Sequence, residues 1–152
     1  MSVSIDFTPL KNLERQLEDL GRVPQKCVTG AARKGAQVVR KEAKRLAPKR
    51  TGELRRGLIL YGEKVRGKSK GQKVYQIVFD RRKNAVFQRV SAGGKVNGYY
   101  PSSQEYGFKL KNGERKAGQY YLKTAAENKQ SESTKVMLKT FIEEVDKAWQ
   151  KR

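Results

Sequence analysis

The sequence predicts an α+β fold, in which an antiparallel sheet of about four strands packs against a long helix from the N-terminal half and against a C-terminal helix. Between residues 24 and 47, apolar and small residues recur every three or four positions, as they do on one face of a helix. After Gly52 the period changes to two, which is typical of strands, and the helical spacing returns from Ser133. We therefore expect helix, sheet and helix in that order.

Length, composition and charge indicate the number of domains, the size of the core and the kind of partner. A chain of 152 residues predicts a single domain over residues 1–152, and we find no internal repeat or linker. The apolar fraction of 36% is low, which indicates a modest core with exposed extensions. The net charge of +20 favours a polyanion or an acidic protein surface as partner, because such a partner relieves the mutual repulsion of the cations.

Two helices are predicted before the sheet. The first carries a stripe of leucines at Leu10, Leu13, Leu17 and Leu20. The second runs from Pro24 to Ala47 and has a stripe of apolar and small residues at Val28, Ala32, Gly35, Val39, Ala43 and Leu46. Its small side chains would let another backbone approach closely. It ends before Pro48, because the residue preceding a proline is driven out of the helical region.

Two strands are predicted near residues 58–63 and 74–79, joined as an antiparallel hairpin. The tip of this hairpin, residues 66–73, is rich in lysine and glycine, and so is a second stretch at residues 91–98. Both have almost nothing apolar to bury, and we expect them to be mobile. The candidate partner contacts on the first tip are Arg66, Lys68, Lys70 and Lys73.

The residue types exclude most catalytic chemistry. The chain has no histidine and a single cysteine, Cys27, so it has neither the ligands of a zinc site nor a Ser-His-Asp triad. Cys27 itself is interpreted as a small buried hydrophobic residue. A complete phosphate-binding loop and a membrane-spanning apolar run are also lacking. We expect a protein that is not an enzyme, needs no cofactor or metal, and is made and kept in the cytoplasm or assembled there.

Three short motifs follow one another in the sequence. The first is Ala47-Pro48-x-x-Thr51-Gly52-x-Leu54, the second ends in Glu105-Tyr106-Gly107-Phe108, and the third is Gly118-Gln119-Tyr120-Tyr121-Leu122. Their order resembles the head–tail joining, or tail-completion, family of long-tailed bacteriophages. The resemblance implies a virion structural protein at the head–tail junction, assembled in the host bacterial cytoplasm. It also implies a ring of copies that contacts tail-tube and connector proteins, with incidental DNA contact and no membrane.

The first motif makes physical sense as architecture. Pro48 stops the helix, Thr51 can form a local side-chain turn, and Gly52 offers a positive-φ position. We expect Leu54 to anchor the first strand in the core. The stretch is then a corner between helix and sheet, and its charges are secondary.

A nucleic-acid-binding module remains the alternative. The charge favours it, and so do five tyrosines among the basic residues, which can stack on bases: Tyr99, Tyr100, Tyr106, Tyr120 and Tyr121. Against it, the basic residues are spread over helix, loops and strands, where a recognition helix would gather them. The tyrosines can equally be aromatic residues of the strands and the core edge.

Overall fold

The computed structural model describes residues 3–4, 25–64 and 71–150. The helices are α1 (Gln25–Leu46), α2 (Glu53–Gly57), α3 (Asn84–Phe87), α4 (Tyr100–Tyr106) and α5 (Tyr121–Gln150), and a 3-10 turn spans Arg81–Lys83. The strands are β1 (Val3–Ser4), β2 (Leu58–Gly62), β3 (Tyr75–Phe79), β4 (Gln88–Val90), β5 (Val96–Tyr99), β6 (Gly107–Lys109) and β7 (Arg115–Ala117). The leucine-striped helix predicted at residues 10–20 lies outside the described residues.

The two long helices pack against each other in opposite directions. The start of α1 lies beside the end of α5, where Cys27 and Val28 share a buried cluster with Phe141 and Val145. The predicted close approach occurs at Gly35, whose carbonyl accepts a hydrogen bond from the Ser133 hydroxyl at 2.9 Å. Both groups are buried, so this bond joins the middles of the two helices away from water.

The sheet differs from the prediction. The described strands form a three-stranded antiparallel sheet in the order β1-β3-β2 and two separate two-stranded hairpins, β4–β5 and β6–β7. The α+β class is confirmed, but a single sheet of about four strands is not what forms. The β6 and β7 strands, of three residues each, bury no side chain, so they offer the core no apolar face on which to extend the sheet.

The β2–β3 hairpin faces the helices with one side. Leu58 pairs with Phe79 and Leu60 with Ile77, and these side chains join a core cluster with the second half of α1 and the first turns of α5. Phe79, Phe87 and Tyr99 then meet edge to face, with ring centroids 5.5 to 6.4 Å apart. These aromatic contacts attach residues 81–99 to the sheet.

Helix α5 begins at Tyr121, ahead of the start near Ser133 that the sequence predicts. Its first turns bury Tyr121, Leu122 and Ala125. Residues 127–132 are all polar, so no apolar repeat marks the helix in this part of the sequence. The predicted mobile stretch at residues 91–98 contains the β4–β5 turn and most of β5, and its mobility stays a prediction.

The helix packing predicts opposite effects for two glycines of α1. A Cβ on Gly35 would lie 2.3 Å from Met137 Cγ, whereas one on Gly30 meets nothing within 4 Å. Gly35→Ala should lower the free energy of unfolding by about 1–3 kcal/mol through overpacking. Gly30→Ala should raise it by about 1 kcal/mol, because alanine has the higher helix propensity. Urea denaturation of both variants checks this, and equal stabilisation by both would contradict the close approach.

Candidate functional site

The corner after α1 is closed by an arginine. Helix α1 ends at Leu46, and Ala47, which still donates to Ala43 O at 2.9 Å, is buried in front of Pro48. The Arg55 guanidinium donates from Nε to Ala47 O at 2.9 Å. Its Nη2 donates to Ala47 O at 2.8 Å and to Arg45 O at 2.9 Å. A cation therefore satisfies carbonyls at the helix end, where the helix dipole is negative.

The turn itself depends on Thr51 and Gly52. Gly52 has φ 74°, in the left-handed region that the sequence predicts for it. The Glu53 N–H donates to Thr51 Oγ1 at 3.4 Å, which is the expected local side-chain turn. Leu54 is 2% exposed and anchored in the core, but it lies in α2, one helical turn before β2. Leu54 is thus in the core as expected, but it anchors a short helix and not the first strand, because the chain enters α2 directly after Gly52.

An ion-pair network attaches the corner to the 3-10 turn. Glu53 Oε1 accepts from Arg56 Nε at 3.0 Å, and Glu53 Oε2 accepts from Lys83 Nζ at 2.5 Å. The hydrogen bonds from Lys83 and Arg56 hold the pKa of Glu53 below its ordinary value. Arg56 is largely exposed and Glu53 and Lys83 are half-buried, so solvent still screens the network, which orients Lys83 and adds little stability.

The second motif caps the longest helix. Glu105 is 2% exposed, and its carboxylate accepts from Leu122 N at 2.9 Å and from Lys123 N at 3.1 Å. These N–H groups lie in the first turn of α5, where no helical carbonyl reaches them. A negative charge here also interacts favourably with the positive end of the helix dipole. Glu105 thus performs from a distant position the role of a helix N-cap.

Two glycines let the chain segments around Glu105 approach closely. Gly107 has φ 81°, and a Cβ built on it would lie 2.1 Å from Lys116 O. A Cβ on Gly118 would lie 2.0 Å from Glu105 O. Gln119 N donates to Gln104 O at 2.8 Å and Tyr120 N to Glu105 O at 3.1 Å. The end of α4 and the start of α5 are therefore joined backbone to backbone.

Tyr121 lies behind this cap with its ring in the core. Its hydroxyl is buried and has no hydrogen-bond partner within the part of the chain that the structure describes. Burial, and after it the nearby charge of Glu105, raises the pKa of the phenol far above its ordinary value. The phenol is therefore neutral, and its burial fits the interpretation of this tyrosine as a core-edge aromatic.

The structure brings the three motifs together around one core cluster. Ala47 and Leu54 of the corner share this cluster with Tyr121 and Leu122, whose helix Glu105 caps. Arg55 and Gly118 belong to the same arrangement. Gly118 is marked in the sequence only as the first residue of the third motif, and Arg55 is not singled out there as a site residue. The signals that point to them are a cation nine residues beyond a helix end and a glycine two residues before an aromatic pair.

The candidate partner contacts are a separate group. Arg66, Lys68 and Lys70 lie outside the described residues. Lys73 lies at the base of the β2–β3 hairpin, where its Nζ donates to Glu63 O and sits 5.4 Å from the Tyr75 ring centroid. Lys73 thus makes contacts within its own chain.

The described part of the chain has neither a cluster of metal ligands nor a helix that could span a membrane. Within residues 3–4, 25–64 and 71–150, no group of three or more histidine, cysteine or acidic side chains is arranged to hold a metal ion. Over the same residues, no helix has the length and apolar character needed to cross a bilayer. Cys27 is buried, and burial raises the pKa of its thiol, followed by the charge of Glu144.

Comparison with known proteins gives one match. The family model described as "Bacteriophage HK97-gp10, putative tail-component" matches residues 11–107, more than half of the 152 residues. The chain belongs to this family. No curated protein and no solved structure matches it.

Membership of the HK97-gp10-like family confirms the resemblance found in the motifs and gives the chain a structural role in a phage tail. The match contains both the corner at residues 47–54 and the cap at Glu105, and it ends at Gly107. The corner therefore belongs wholly to the part of the chain that the family model covers, whereas Glu105 and Gly107 are covered but the first turn of α5 lies beyond it.

The conformation of Gly52 predicts the cost of replacing it. Gly52→Val should lower the free energy of unfolding by about 1–3 kcal/mol, because a β-branched residue is strained at positive φ. A Cβ there meets nothing closer than 3.8 Å, so crowding is not the cause. Gly52→Asn is the control and should cost less, since asparagine tolerates this region. Thermal melts compare the two, and equal losses would contradict the conformational explanation.

The cap predicts a charge effect at Glu105. Glu105→Gln keeps the side chain's size but removes the charge and one acceptor, and should lower the free energy of unfolding by about 1–3 kcal/mol. Glu127→Gln is the matched control, because Glu127 is an exposed residue of α5 whose nearest cation is Lys123 Nζ at 3.9 Å. It should change stability by less than about 0.5 kcal/mol. Guanidinium denaturation measures both, and similar small losses would show that Glu105 does not cap the helix.

Proposed function

We propose that this protein completes the phage tail at the head–tail junction by assembling into a closed ring of identical copies. Its family membership as a tail component is the observation that carries the proposal. Copies related by rotation about the tail axis would bind one another through heterologous contacts that close on themselves. The function is then assembly, without catalytic turnover and without a cofactor.

The geometry supports a role carried by the surface. Five of the motif residues have structural roles within their own chain. Ala47, Leu54 and Glu105 are buried, and Gly52 and Gly107 adopt the positive φ that their turns require. None of them presents a reactive group to solvent. What the chain offers to others is its outer surface, where the excess of cations lies.

The charge indicates the kind of partner. The exposed faces of α1 and of the later hairpins carry lysine and arginine, and the net charge is +20. Acidic surfaces on tail-tube and connector proteins would neutralise it and allow docking. Until then, repulsion between copies favours a monomer in solution. The basic tip with Arg66, Lys68, Lys70 and Lys73 would then order against a neighbour or an acidic protein surface.

A charge reversal tests the contribution of that tip. The triple variant Lys68→Glu, Lys70→Glu and Lys73→Glu should leave the fold intact and leave heads and tails unjoined, as counted by electron microscopy. Lys26→Glu, Lys34→Glu and Lys41→Glu together are the matched control, because they make the same charge change on exposed positions of α1. Normal joining with the first variant, or equal failure with the second, would remove the tip from the mechanism.

DNA binding separates this proposal from the alternative. Contact with free DNA should be weak and independent of sequence, and should fall steeply with salt because it releases counterions. A titration at about 150 mM salt, where screening acts beyond about 8 Å, measures it. Tight, sequence-dependent binding there would favour the nucleic-acid-binding module, for which the charge and the exposed Tyr106 and Tyr120 are the supporting observations.

A further inference from the structure

The β6–β7 hairpin projects from the domain without packing on it. Every side chain from residue 108 to residue 117 is exposed. Phe108 and Leu110 are among them, 38% and 41% exposed, and Tyr106 and Tyr120 are exposed at the hairpin's base. The basic residues of the hairpin are Lys109, Lys111, Arg115 and Lys116. A two-stranded hairpin of this size gains little stability by itself, so its apolar side chains are available to another surface.

The base of this hairpin is held rigidly. Gly107 and Gly118 bring the two strands against Glu105, and the carboxylate of Glu105 caps the first turn of α5. The hairpin is thus attached to the starting end of the longest helix. An arm that is already oriented loses less entropy when it binds than a flexible one.

The other end of α5 presents a complementary surface. Ile142 and Trp149 are 53% and 44% exposed and lie seven residues apart, on one side of the helix with Asp146. Glu143 and Asp146 have no ion-pair or hydrogen-bond partner among the residues that the structure describes. An apolar patch beside carboxylates matches an apolar hairpin that carries lysines.

The two surfaces of one molecule cannot meet. Helix α5 has 30 residues, which at about 1.5 Å per residue separates its ends by about 45 Å. A contact between the hairpin and the far end of α5 therefore joins two copies. Because the two surfaces differ, the contact is heterologous, and each copy keeps one surface free for the next.

We propose that the β6–β7 hairpin of one copy docks on the C-terminal end of α5 in the next copy, with Phe108 and Leu110 against Ile142 and Trp149. This inference rests on the proposed ring and names the surfaces that would close it. The lysines and arginine of the hairpin would face Glu143 and Asp146. A second copy is the occupant because the carboxylates of Glu143 and Asp146 and the exposed apolar side chains beside them match the hairpin, although the exposed Lys139 and Lys147 lie nearby and the chain as a whole is strongly basic.

Disulfide cross-linking tests the contact in assembled particles. A chain carrying Phe108→Cys and Ile142→Cys should give a ladder of cross-linked multimers under mild oxidation. A disulfide needs Cα atoms about 4.4–6.8 Å apart, so a bond within one chain is excluded by the length of α5. Cys27 is buried and should not compete. The matched control is Phe108→Cys with Gln130→Cys, an exposed position in the first third of α5, which should give no ladder.

The outcomes distinguish this inference from the proposed function. Joined particles that contain the protein but give no ladder with the first pair, or an equal ladder with the control pair, would overturn the docking and leave the junction role standing. Particles that join without the protein would overturn the proposed function itself.

A charge exchange gives an independent readout. Lys109→Glu with Lys116→Glu should lower the number of joined particles at least tenfold, and adding Glu143→Lys with Asp146→Lys in the same chain should restore them. Circular dichroism confirms that each variant is folded. Folded variants in which the exchange restores nothing would contradict the contact, as would normal joining with the hairpin variant alone.

Discussion

The carboxylate of Glu105 at the start of α5 is the interaction on which most of the structure depends. It binds two N–H groups in the first turn of the longest helix, and that turn buries Tyr121 and Leu122 in the core cluster that contains the corner residues Ala47 and Leu54. Displacing it would leave a buried charge and unsatisfied donors in the same place, which is among the costliest changes a core can undergo. The cap also sets the direction in which the β6–β7 hairpin leaves the domain.

A division between interior and surface follows from this arrangement. The residues of the family motifs shape the backbone, and Arg55 completes them by binding the carbonyls at the end of α1. Most other cations of the described residues lie on the outside of the molecule, without an ion-pair partner there. A tail component that works through docking needs this combination of a rigid interior and an outer surface reserved for other molecules.

Much of the helical architecture could be predicted from sequence, because it is local. The stripe of α1, the stop before Pro48 and the positive φ of Gly52 each depend on residues a few positions apart. The start of α5 could not be predicted in this way, since the cap that begins it comes from Glu105, 17 positions before the N–H of Leu122. The separate hairpins were missed for a related reason: strands of three or four residues have too few side chains to show whether a face is buried. Arg55 was passed over because its role depends on the fold that places it at the helix end.

The central claim is that this tail component forms a ring where the tail meets the head. Cryo-electron microscopy of the neck of purified particles tests it most directly. The proposed function predicts a single closed ring of identical subunits at the head-proximal end of the tail, with the two long helices of each copy resolved. The basic tip of the β2–β3 hairpin of each copy should contact a neighbouring protein. Density for this chain repeated along the tail tube, or its absence from the purified particle, would contradict the claim.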